Sequence, residues 1–118
     1  MAGLTTHVLD VTRGGPASGV KVELFELGEN GARLLVTLAT TNAEGRTDKP
    51  LIAPNDARAA RYELVFHTGA YFRAQGAKLS EPPFLDVVPV RFAIADASAR
   101  YHVPLLVSPW SYSTYRGS

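Results

Sequence analysis

The sequence predicts an all-β protein: an antiparallel β-sandwich of two sheets, about seven to eight strands in all, with one short helix. Three observations predict it. Short runs rich in Val, Leu, Thr, Tyr and Phe recur along the chain, several with alternating apolar and polar residues. Gly- and Pro-containing turns separate them. Only one segment carries helical spacing. With 118 residues, the chain is expected to fold as one domain, residues 1–118, around a single core.

The first strand is expected from Thr5 to Val11, stopped by the Gly14-Gly15-Pro16 turn. Val20 to Leu27 alternates apolar and charged residues until Phe25, which marks a half-buried strand. Gly28-Glu29-Asn30-Gly31 connects it, hairpin fashion, to a strand over Arg33 to Thr41. Asn42-Ala43-Glu44-Gly45 makes the next turn, with Arg46 just beyond it, and Arg61 to His67 is a fourth clear strand. Thr68 is placed to cap a helix in which Tyr71, Phe72 and Gln75 follow at helical spacing, ending at Gly76. Glu81-Pro82-Pro83 breaks the chain before strands over Val87 to Ala95, Arg100 to Val107 and Ser111 to Tyr115.

The strand Tyr101 to Val107 carries apolar groups on both faces, whereas an antiparallel sheet in a small protein usually leaves one face to water. A second subunit covering the outer face would account for this. Pro104 lacks a ladder donor, so a local irregularity is expected there.

Composition excludes several classes. Apolar residues make up 46% and charged residues 19%, an ordinary globular balance. A formal charge of +1 and singly scattered arginines give no nucleic-acid or acidic-membrane footprint. Without cysteine there is neither a disulfide framework nor a thiolate zinc site, and the histidines lack the i, i+4 spacing of a metal pair. No metal or other cofactor is expected. No apolar run approaches the roughly 20 residues needed to span a bilayer. The first residues lack a basic region followed by an apolar stretch, so a cytoplasmic location is expected.

His7, Arg46, His102 and the segment Tyr115-Arg116-Gly117-Ser118 form a candidate hydrolytic set. Alternation puts Thr5, His7 and Leu9 on one strand face, and His102 shares a face with Pro104 and Leu106. If both faces look outward, two imidazoles can meet one substrate. Histidine exchanges protons near neutral pH, and arginine presents a permanently charged fork suited to a developing oxyanion. Tyr115 can stack on or hydrogen-bond a substrate, and Ser118 can orient a histidine or a water. The sequence leaves open which histidine is the base. His67 lacks supporting context and is read as a structural or surface residue. Asp10 and Asp48 are read as turn or strand-end residues and Asp86 as a loop residue. Ser108-Pro109 does not form a nucleophile elbow.

The segments His7-Val8-Leu9-Asp10, Gly14-x-Pro16-Ala17 and Val20-x-Val22 resemble the N-terminal signature of the transthyretin-like family. Tyr101 to Pro109, followed by Ser111 to Ser118, is similar to its C-terminal counterpart. Gly45-Arg46-Thr47-Asp48 and Thr68-Gly69-Ala70-Tyr71-Phe72 match between them, in order and spacing, so the resemblance spans essentially the whole chain. It favours the branch that hydrolyses 5-hydroxyisourate over the hormone-carrier branch. The carrier has a lysine in place of His7 and a threonine in place of His102, and lacks the Tyr-Arg-Gly-Ser ending. The resemblance implies a transthyretin-like sandwich assembled as a homotetramer, a dimer of dimers, with sites in a channel between the dimers. It implies catalysis by His7, Arg46, His102 and Ser118, with His7, Arg46, Tyr115, Arg116 and Gly117 contacting 5-hydroxyisourate. A carrier of small aromatic ligands in the same channel is the competing reading.

Overall fold

Alternation along the strands is realised as two four-stranded sheets in a computed structural model that describes residues 2–118. The first sheet has the order β2-β1-β7-β8, built from Gly15–Pro16, Gly3–Asp10, Arg100–Val107 and Tyr112–Thr114. The second has the order β4-β3-β5-β6, built from Arg33–Thr40, Lys21–Leu27, Ala60–Phe66 and Val88–Ile94. One helix, α1 (Thr68–Ala74), follows β5. The two-sheet sandwich, seven of the eight strands and the single α-helix among the described residues are as the sequence predicts, those seven strands with boundaries within about two residues of expectation. No helix among the described residues is long and apolar enough to cross a membrane.

Leu4, Val8, Leu105 and Val107 from the first sheet meet Val22, Leu24, Leu64 and Phe66 from the second, all fully buried. Burying each such side chain contributes roughly 1.5–3 kcal/mol. Thr5, His7, His102 and Leu106, which alternate with inward-facing residues, face outward, so the core contacts fix which face of β1 and β7 remains available for a site.

Four details go beyond the sequence reading or differ from it. β1 and β7 run parallel, from Gly3 opposite Arg100 to Asp10 opposite Val107, although the other strand pairs are antiparallel. Parallel neighbours need a long crossover, here the entire second sheet, and local patterning carries no trace of it. Gly15–Pro16, read as part of a turn, also pairs back on β1 as a two-residue strand. The break in alternation at Phe25 is a bulge: Leu24 pairs with Thr37 and Phe25 with Leu35, leaving Val36 over.

Thr68 is not the cap of α1. His67 occupies that position without a side-chain capping bond, and the buried Thr68 hydroxyl has no partner among the described residues. The helix is instead tied to β1 by Tyr71, whose hydroxyl donates to the buried Asp10 carboxylate at 2.8 Å.

Pro104 produces the expected irregularity, as a gap in the ladder. Pairing of β7 with β8 stops after Leu105 opposite Thr114 and resumes, in the same register, at His102 opposite Gly117. Where the proline offers no N–H, the Thr114 hydroxyl donates to the Pro104 carbonyl at 2.7 Å.

Candidate active site

The outer face of the β1–β7 pair carries the histidines. Along β1, Leu4, Thr6 and Val8 are buried while Thr5, His7 and Leu9 are half-buried; along β7, Tyr101, Val103 and Leu105 are buried while His102 and Leu106 are half-buried. Thr5 lies opposite His102 and His7 opposite Pro104. With strands about 4.8 Å apart and two residues rising about 6.6 Å, the Cα atoms of His7 and His102 stand about 8 Å apart on one surface.

Arg46 reaches this surface through the turn over residues 42–45. Asn42 builds the turn: its side-chain oxygen accepts from the backbone N–H of Glu44 at 2.9 Å and of Arg46 at 3.2 Å, and its amide donates to Asp48 at 2.9 Å. Gly45 brings the turn onto β1, where Val8 N–H donates to the Gly45 carbonyl at 2.8 Å. Its φ of +75° suits glycine, and a Cβ there would lie 2.4 Å from the Val8 carbonyl oxygen, so no other residue fits without moving backbone. Arg46 thereby forms a β-bridge with His7.

His7 Nε2 lies 2.9 Å from the Glu44 carbonyl oxygen. A carbonyl only accepts, so Nε2 carries the proton and Nδ1 holds the lone pair of the neutral ring. His102 is held differently, with Nδ1 2.8 Å from the Thr5 hydroxyl. Its other nitrogen, Nε2, has no protein partner among the described residues.

Gly117 lies flat on the His102 ring. Its N–H donates to the His102 carbonyl at 2.7 Å, and a Cβ at Gly117 would approach the imidazole Cδ2 to 2.6 Å. A side chain there would displace the ring, which is the physical reason for glycine at this place.

The His102 pKa is pushed below the usual imidazole value. Partial burial is the main cause, followed by the positive charge of Arg46, then by His7 and Arg100. The ring is therefore neutral near neutral pH and available to accept a proton.

The sequence-predicted residues separate into two groups. His7, Arg46, His102 and Gly117 come together on one surface. Arg116 turns away from them: its guanidinium stacks 4.0 Å over the ring of Tyr101 and donates to the Arg100 carbonyl at 3.3 Å. Alternation explains this, because Gly117 faces His102 and the preceding residue must face the other way. Arg116 anchors the terminal segment through a cation–π contact. Tyr115, 60% exposed, borders an apolar recess of about 230 Å³ shared with Val90, Phe92, Tyr101 and Val103. Its hydroxyl bonds to neither imidazole among the described residues. Ser118 is exposed beside Gly117.

His67 takes the structural role read from sequence, paired with Glu23 at 2.6 Å on the second sheet, away from this surface. Thr5, Asn42 and the Glu44 carbonyl were missed. Thr5 shares the alternation of His7 and was legible as a face-mate, but its contact with His102 depends on the parallel pairing. The Glu44 contact is made by backbone, which a side-chain reading does not reveal.

Two adjacent imidazoles with opposite nitrogens engaged, beside the Arg46 guanidinium, can move a proton to and from water while offsetting negative charge on an oxygen.

Residues 4–117 match the family model described as the HIUase/Transthyretin family. The 5-hydroxyisourate hydrolase 2 of Rhizobium meliloti (strain 1021) is 56% identical over 115 residues, covering 98% of this chain and 95% of that protein. The crystal structure of an (S)-allantoin synthase superposes with a TM-score of 0.91 at 43% identity, covering 98% of this chain; the chain spans 43% of that protein. Sea bream transthyretin in complex with thyroxine gives a TM-score of 0.85 at 30% identity, covering 97% of this chain and 93% of that one.

Proposed function

The chain belongs to the HIUase/transthyretin family, and from that membership and the surface shared by His7, Arg46 and His102 we propose an enzyme that hydrolyses 5-hydroxyisourate in urate catabolism. The single observation that carries the reading is the convergence of two imidazoles and a guanidinium on the outer face of the β1–β7 pair. A carrier of small aromatic ligands has no use for paired proton-transfer groups there, and sea bream transthyretin, solved with thyroxine, is the more distant relative at 30% identity. The carrier reading therefore ranks second.

In the proposed reaction, water adds across a cyclic acyl–nitrogen bond. Its oxygen bonds to the carbonyl carbon as neutral His102 takes a proton, and Arg46 stabilises the resulting oxyanion. Collapse of that intermediate breaks the carbon–nitrogen bond, and the leaving nitrogen receives a proton from an imidazolium. The product is a ring-opened ureidoimidazoline carboxylate, and water is the only co-reactant. His7 contributes Nδ1 as acceptor or, once protonated, as donor. Ser118 orients the water or an imidazole, and Tyr115 with Gly117 bounds the substrate. Arg116 supports the site by fastening the terminal segment to Tyr101.

Assembly as a homotetramer, a dimer of dimers, belongs to the same proposal. The histidine surface is open on a single chain, where His7 and His102 are only half-buried. A facing subunit would close this surface into a channel. The enzyme is proposed to act in the cytoplasm as one domain, without a cofactor.

The test follows the ultraviolet absorbance of freshly generated 5-hydroxyisourate with wild type, His7→Ala and no enzyme, since this substrate also decays unaided. Acceleration by wild type that collapses in the variant is expected. Wild type matching spontaneous decay while folded would favour the carrier.

A further inference from the structure

In the proposed hydrolysis His102 accepts a proton, which requires its ring to be held in the form that can accept. On that reading, we propose that Thr5 is a positioning residue for the reaction: its hydroxyl accepts the Nδ1 proton of His102, fixing the tautomer that leaves the Nε2 lone pair facing the reaction surface.

The contact is specific. Thr5 and His102 are direct cross-strand partners in the parallel ladder, and hydroxyl and Nδ1 are 2.8 Å apart. Both residues lie on regular strands with buried neighbours on either side, so neither backbone adjusts easily. Gly117 closes one side of the ring, as a Cβ there would lie 2.6 Å from Cδ2. The imidazole is thus clamped at Nδ1 by Thr5 and on its flank by Gly117, and only Nε2 is left to work.

A hydroxyl can donate or accept, so the 2.8 Å contact alone permits two tautomers. Nε2 is the ring nitrogen without a protein partner among the described residues, and in the proposed hydrolysis it takes the proton from water, so it must hold the lone pair and Nδ1 must carry the hydrogen. Thr5 is therefore the acceptor.

The two histidines consequently enter the reaction in opposite forms. His7 carries its proton on Nε2, facing the Glu44 carbonyl, and His102 carries its proton on Nδ1, facing Thr5. His7 is held by a carbonyl that can only accept, whereas the orientation of the His102 ring rests on a single hydroxyl.

Thr5→Val keeps the branched shape and removes the hydroxyl; Thr5→Ser restores the hydroxyl and removes the methyl. Thr5→Val should lower kcat roughly 10-fold, the low end of what loss of an orienting partner costs a metal-bound imidazole, with KM changed less than about threefold. The acid limb of its pH–rate profile should also move, and Thr5→Ser should recover most of the rate. Long-range ¹H–¹⁵N correlation spectra of the folded wild type should report His102 as the Nδ1–H tautomer, a readout that needs no variant to fold. Three results would overturn the proposal: an Nε2–H tautomer in the wild type, a Thr5→Val enzyme with unchanged kcat and pH profile, or a Thr5→Ser enzyme as impaired as Thr5→Val. Failure of wild type to accelerate substrate loss is a different outcome and removes the hydrolase reading itself.

Discussion

His102 works in a position where its proton affinity is reduced, and Arg46 is the largest electrostatic reason after burial itself. A general base must be neutral, so the acid limb of kcat/KM should lie below the pH of an ordinary imidazole, near 6.5. Arg46→Gln should lower the rate by removing oxyanion stabilisation, by about 100-fold or more. It should also move that limb upward toward the ordinary value, and a pH profile of the variant checks both effects together. The same shift bears on stability. Because the folded-state pKa is the lower one, the unfolded chain binds the extra proton first as pH falls. The His102 contribution is thus present above the ordinary imidazole pKa and lost as pH drops through the folded value. At this scale alternation put His7 and His102 on the outward faces of their strands, as the structure has them, whereas Arg46 and Gly117 were marked by the family motifs alone. The turn of Arg116 toward Tyr101 was not legible, because a tetrapeptide motif reads as a unit, whereas an extended chain sends successive side chains to opposite sides.

Among the elements, the segment after β8 has the most direct bearing on the site. Gly117 bonds to the His102 backbone and packs on its ring, and Arg116 fastens the segment to Tyr101 from the other side. Removing Tyr115 to Ser118 should leave the sandwich folded, because none of these residues lies in the buried core. Turnover should fall by at least about 100-fold as the His102 ring loses its flank, on the scale of a displaced acid–base group. Circular dichroism and thermal unfolding alongside the rate assay separate the two effects. Alternation made most strands legible, including the interruption at Phe25 that proved to be a bulge. The two-residue strand at Gly15–Pro16 was not legible, because nothing in a glycine and a proline distinguishes pairing from turning. The Thr68 cap failed for a similar reason: the residue type suits a cap, but the strand running into α1 sets the register one residue earlier, at His67.

For the whole molecule, assembly determines whether the site is enclosed. The histidine surface is half-exposed on one chain, and in the proposed assembly a facing copy would close it. If the site lies in a channel between dimers, size-exclusion chromatography with light scattering should give a homotetramer at working concentrations. Specific activity should then fall on dilution through the dissociation range. Constant activity in a demonstrated monomer would remove the channel from the mechanism. A sandwich of two sheets was predictable from the spacing of strands and turns. That β1 and β7 become neighbours was not, because pairing of residues 97 positions apart leaves no periodic mark on either.

That parallel seam between β1 and β7 also bears on how the molecule is made. Contacts joining residues 97 positions apart must wait for the intervening chain to be in place, and ladders of such separation slow folding because loop closure comes before any reward from contact. The second sheet is made of strands consecutive in sequence and can form early; the surface bearing His7 and His102 is expected to assemble last. A chain arrested before β7 could hold much of its sandwich and still have no active site, so the appearance of activity during refolding would report the final step rather than the first.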